Sequence, residues 1–152
     1  MRSSFLQIVA AVSITLFAAV PTFADTPGRH PAYLHALTDL RDARAHLEHL
    51  SSDPVDREEE SAISNIDKAL EEIKRAAIMD GKDIRDHLPV DTHLNRRDRF
   101  RKAMELLDKA KQDVSGEEDQ PDTRGLQMRV INHINAARHD VHHAIDTVLN
   151  RG

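Results

Sequence analysis

HPAYLHALTDLRDARAHLEHL, residues 30–50, carries two interleaved helical stripes. Tyr33, Leu37, Leu40, Leu47 and Leu50 recur three, four or seven positions apart. They share one side of a helix because about 3.6 residues complete a turn. Beside them His35, Asp39, Asp42, His46 and His49 follow steps of 4, 3, 4 and 3, a second continuous line on the same helix. A lone amphipathic helix has nothing to cover its apolar side, so the fold is decided by what the rest of the chain offers it.

Sliding the sequence along itself supplies the partners. A shift of 67 residues lays Ala36, Leu37, Leu40, Ala43 and Leu47 onto Ala103, Met104, Leu107, Ala110 and Val114. A shift of 68 lays Ile63, Ile66, Ala69, Ile73 and Ala76 onto Ile131, Ile134, Ala137, Val141 and Ala144. Each half reads as a helical hairpin with an apolar stripe that only the other half can bury. This predicts an all-α fold, an antiparallel four-helix bundle built from two duplicated helical hairpins. No segment shows strand-like alternation.

The helices are expected at about residues 31–50, 54–79, 97–114 and 121–150. Asp53 as N-cap and Pro54 behind it start the second helix, and Asp80-Gly81 ends it. Pro89 interrupts the long middle connection, and Pro121 opens the fourth helix, whose first turns Gly125 weakens. Beyond the first helix, Ile63, Ile66, Leu70, Ile73, Ala77, Phe100, Met104, Leu107, Val114, Leu126, Ile131, Ile134, Val141, Ile145 and Val148 are the inward side chains. Alanines recur on one flank of all four stripes. That spacing predicts close packing of helix 1 on helix 2 and of helix 3 on helix 4, because small side chains let backbones approach.

Residues 1–24 read as a signal peptide. Arg2 supplies the positive start, Phe5–Val20 is an uncharged apolar run, and Thr22-Phe23-Ala24 supplies small residues for cleavage. The run is shorter than the roughly 20 residues of a spanning helix, and nothing after it reads as a membrane span. Residues 25–152 are then one exported domain, periplasmic or secreted. The chain has no cysteine, which excludes disulfides, thiolate metal sites and cysteine nucleophiles. The net charge of −5 is spread without a basic patch, and with no Trp and one Tyr nucleic-acid binding is not expected.

Ten histidines remain to be explained. In the stripe on helix 1, imidazole and carboxylate together suit Zn²⁺, Cu²⁺ or Ni²⁺. The alanine-flank argument brings the stripe beside helix 2, where Glu72 would meet His35 and Asp39. The competing reading is a solvated face of weak Asp–His pairs. The helix 3 counterparts of the stripe are Lys102, Leu106, Lys109, Asp113 and Gly116, so the repeat itself does not call for histidine there. His139, His142, His143 and Asp146 form a second cluster on helix 4, with His139 and His143 one turn apart. The two clusters lie on opposite flanks and should not combine. His87, Asp91 and His93 form a third group in the middle connection. His133 falls where Asn65 stands in the first half.

Enzyme signatures are missing. His46-Leu47-Glu48-His49 is one residue short of an inverted zinc-protease motif, and Asp140-Val141-His142-His143 points outward where a di-iron bundle needs inward ligands. There is no nucleophile elbow, phosphate loop or dinucleotide fingerprint.

The segments HPAYLHALTDLRDAR, MDGKDIRDHLPVD and EEDQPDTRGLQMRVINHINAA resemble a group of uncharacterised exported bacterial helical-bundle proteins. That resemblance implies a bundle in the cell envelope and no particular activity. The His-rich texture is also loosely similar, in composition only, to small periplasmic metal-binding proteins. The expected function is a non-enzymatic exported bundle that binds Cu, Ni or Zn ions reversibly and requires no cofactor. The alternatives are an envelope interaction or chaperone-like protein without a metal, and a pH response, since imidazoles ordinarily titrate near about 6.5.

Overall fold

The computed structural model describes residues 31–48, 56–79, 84, 90, 91, 93–116 and 124–150. The signal segment, His49, His87 and the Asp53-Pro54 start signal lie outside the described residues. Four helices account for nearly all of the rest: α1 (Pro31–Leu47), α2 (Asp56–Met79), α3 (Arg96–Gly116) and α4 (Arg124–Asn150). Pro31 opens α1, where its missing N–H costs nothing. The start of α3 is set by Asn95, whose Oδ1 accepts the Asp98 amide at 3.0 Å while its Nδ2 donates to Asp98 Oδ2 at 2.6 Å. This reciprocal cap places the boundary one residue before the expected one.

The helices form an antiparallel four-helix bundle. Arg99 at the start of α3 reaches the end of α1, donating from Nη1 to the His46 carbonyl at 2.9 Å. Gln127 at the start of α4 donates to the Val114 carbonyl at the end of α3, at 2.9 Å. Ser61 and Asp140, and Glu72 and Arg129, tie opposite ends of α2 and α4. Every neighbouring pair is therefore antiparallel, while α1 and α4, and α2 and α3, take the diagonals.

The direction of α2 and α3 fixes the long connection. Arg96 pairs with Glu59 at 3.1 Å, so both helices begin at the same end. The chain must return the length of α2, about 36 Å for 24 residues. Two described residues of this connection lie beside α1: the Ile84 carbonyl accepts Arg41 Nη2 at 2.6 Å with the Ile84 side chain packed on the core, and Asp91 lies within electrostatic range of His46.

Helix pairing departs from the expectation in one respect. The close pairs are α1 with α3 and α2 with α4, and not the two hairpins. Ala36, Ala43, Ala103 and Ala110 are wholly buried, and so are Ala62, Ala69 and Ala137. The antiparallel register set by Arg99 and His46 brings Ala43 to the level of Ala103 and Ala36 to that of Ala110. The reason lies in the repeat. Equivalent flanks do face each other, but equivalent helices are α1 and α3, or α2 and α4, and a two-fold relation between the halves sets each flank against its own copy. This is the self-complementary geometry of a two-fold dimer interface, here within one chain. Tyr33, Leu37, Leu40, Ile66, Ile73, Phe100, Leu107, Val130 and Ile134 fill the space between the close pairs. Ile63, Met104, Ile131 and Ile145 are half-buried at its margin, and the Val148 side chain lies outside the described residues.

Among the described residues three polar side chains enter the interior at one end: His46, Glu59 and Arg99, each 5% exposed or less. Arg99 supplies a donor to a last-turn carbonyl of α1, where helix geometry leaves carbonyls unpaired and the dipole is negative. The Glu59 carboxylate opposes the Arg99 charge, while the Arg96 guanidinium, 3.1 Å from Glu59, repels it. No helix among the described residues is long and apolar enough to cross a membrane.

Candidate functional site

The stripe on α1 faces α3, not α2. Its first half opens into a groove of about 430 Å³ lined by His35, Thr38, Asp39, Lys109, Gln112 and Asp113. Burial and the facing Asp113 carboxylate push the Asp39 carboxyl above its ordinary value, while the Lys109 ammonium pulls the other way. Lys109 is itself held by Glu105 at 3.1 Å, which raises its own pKa.

The second half of the stripe is closed. His46 is 3% exposed, and burial pushes its imidazole pKa down although Asp42 and Asp91 oppose the effect. Its Nδ1 makes no hydrogen bond among the described residues. Little of this imidazole is open to an ion from solvent. His35, Asp39, Asp42 and His46 therefore do not present one continuous ligand face: the first stands in solvent, the carboxylates are half-buried, and the last belongs to the core.

Glu72 does not join the stripe. It sits on the α2–α4 side, where Arg129 binds it through two hydrogen bonds of 3.0 and 2.9 Å. Those bonds hold its carboxyl below the ordinary glutamate range, with Arg75 and His133 adding to the effect. The expected meeting of Glu72 with His35 and Asp39 fails because α1 packs its small-residue flank on α3, and α2 packs its own on α4.

The α4 cluster stays together. His139, His142, His143 and Asp146 are all exposed and line one groove of about 630 Å³ with Asn135, Arg138 and Met104 of α3. The His139 and His143 rings lie with centroids 4.8 Å apart, tilted by 48°. His142 Nδ1 approaches Asp146 Oδ2 at 3.1 Å, and His139 Nδ1 lies 3.6 Å from Asp140 Oδ1. Arg138, the cation in the groove, is bound by Asp108 at 2.6 Å. Two imidazoles one helical turn apart can chelate a divalent ion, as paired helical histidines do in zinc proteases. Among the described residues no three His, Asp or Glu side chains converge closely enough to hold a metal as they lie. Coordination would need rotation of exposed side chains, which retain most of their rotamer freedom.

In the middle connection the Asp91 carboxylate accepts the His93 amide at 3.0 Å. This local turn gives Asp91 a structural task. Sequence reasoning missed Met104 and Asn135 as neighbours of the α4 histidines. Met104 was expected inward, and the apolar period alone does not reveal which flank of a neighbouring helix it borders. The chain matches no protein-family model, no curated protein and no solved structure.

Proposed function

We propose that this is a non-enzymatic exported protein that binds a transition-metal ion, Cu, Ni or Zn, through the α4 cluster in the periplasm or after secretion. The observation that carries the reading is the sharing of one solvent-open groove by His139, His142, His143 and Asp146, with the His139 and His143 rings 4.8 Å apart. Imidazole is a strong ligand for all three metals, and the nearby carboxylate of Asp146 offers charge compensation. His35 and Asp39 make the α1–α3 groove a secondary, weaker binding place, and His46 takes no part. Calorimetric titration of the untagged protein with Cu²⁺, Ni²⁺ and Zn²⁺ tests the proposal. A dissociation constant below about 10 μM, near −7 kcal/mol, that is lost in H139A/H143A supports it; no saturable binding overturns it.

A second reading is an envelope interaction or chaperone-like protein that needs no metal. Ile78 and Met128 favour it: each is 61% exposed, and they stand near the same end of the adjacent helices α2 and α4. It predicts a partner that is retained in chelator and lost in I78S/M128S.

A further inference from the structure

The α4 groove is not built of histidine alone. Its wall on the α3 side is Met104, half-buried, with part of the side chain packed against the core. That packing restricts a flexible thioether side chain at the edge of the groove. Thioether sulfur is a soft donor. It adds little to Zn²⁺ or Ni²⁺ binding by imidazole and oxygen, and it is well matched to Cu⁺.

Resting on the metal-binding reading above, we propose that the groove between α3 and α4 is a mixed thioether–imidazole site selective for Cu⁺, with Met104 as the soft ligand and two of His139, His142 and His143 completing the set. The α1–α3 groove, lined by His35, Asp39 and Asp113 without sulfur, has no such preference.

The experiment compares wild type, M104L and H139A/H143A, each checked for helicity by circular dichroism. Cu⁺ affinity is measured without oxygen by competition with bicinchoninate, and Zn²⁺ affinity by calorimetry. The expected result for M104L, which conserves volume, is a loss of about tenfold or more in Cu⁺ affinity with Zn²⁺ binding unchanged. Copper X-ray absorption should show a sulfur scatterer in wild type that M104L lacks. If M104L binds Cu⁺ as wild type does while H139A/H143A binds neither metal, the thioether proposal is overturned and the imidazole site stands. If wild type binds neither Cu⁺ nor Zn²⁺, the metal reading fails first, and this inference fails with it.

Discussion

Glu72 of α2 and Arg129 of α4 are joined by two parallel hydrogen bonds, at 3.0 and 2.9 Å, and they occupy the positions that Asp140 and Ser61 occupy in the other half of the molecule. Shifting Ser61 forward by 68 gives Arg129, and shifting Asp140 back by 68 gives Glu72. The second pair is a hydroxyl donating to a carboxylate at 2.7 Å, and Asn65, the counterpart of His133, donates to the same Asp140 oxygen at 3.1 Å. One contact of the two-fold relation has thus been kept twice with different chemistry. That double use is the strongest sign that the halves pack by a shared rule.

The Glu72–Arg129 pair gives a pH-dependent prediction. Arg129 lowers the folded pKa of Glu72, so the stability it contributes is present above the unfolded value and is lost as pH falls through the folded value. Glu72→Gln should therefore lower the melting temperature at pH 7 and change it little near pH 3. Thermal melts of the two proteins at both values check this. An equal loss at both would mean that packing, and not charge, holds the contact.

His46 predicts a loss of stability on acidification. Its folded pKa is depressed by burial, so the unfolded chain binds the proton more readily. Stability then falls as pH drops below about 6.5, until the folded value is passed. Asp42 on its own helix, Asp91 in the connection and Lys102 and Arg99 on α3 are the charges that face it. His46→Leu removes the titrating group and should flatten urea-denaturation midpoints between pH 7 and pH 5 relative to wild type.

The small-residue flanks should be intolerant of bulk. Ala43 is fully buried in the α1–α3 contact, and Ala43→Leu should cost about 1–3 kcal/mol or more because the backbones must separate. Ala136→Leu, at a half-buried position beside the α4 flank, should cost far less. Denaturant midpoints of the two variants decide whether the close pairs are as assigned here. Similar losses would argue against them.

Arg99 should be structural despite its charge. It is 3% exposed and its guanidinium caps the His46 carbonyl at 2.9 Å. Arg99→Met keeps much of the stem packing and loses a charged hydrogen bond, a cost of about 2 kcal/mol. Hydrogen exchange at the last turn of α1 should speed up more than exchange in the middle of α2. A uniform change would place the effect elsewhere.

The parts of the fold legible in the sequence were those encoded over short distances. The periods in residues 30–50 and their copies gave four helices, and most expected inward side chains are buried, from Tyr33 to Val141. The Asn95 cap starts α3 one residue before the expected boundary, because the apolar period does not mark a capping side chain. Of the candidate site, only the α4 cluster survives as a group, because its four members share one helix and one exposed flank. The helix period places His46 beside the apolar stripe, in the line of His and Asp expected to bind metal. The approach of α3, with Asp91 of the middle connection nearby, leaves His46 3% exposed.

The sequence by itself determined an all-α chain, its four helices, its duplication and the lines of histidine, since each follows from the repeat of 3.6 residues per turn and from internal similarity. Tertiary structure decided which helices lie closest, that Ile84 of the middle connection docks on Arg41 of α1, that Glu72 belongs to Arg129, and that Met104 borders the α4 histidines. The physical reason is degeneracy. All four helices carry nearly the same apolar stripe and alanine flank, so several pairings satisfy the pattern equally well. Only long-range packing and the buried cap from Arg99 separate them.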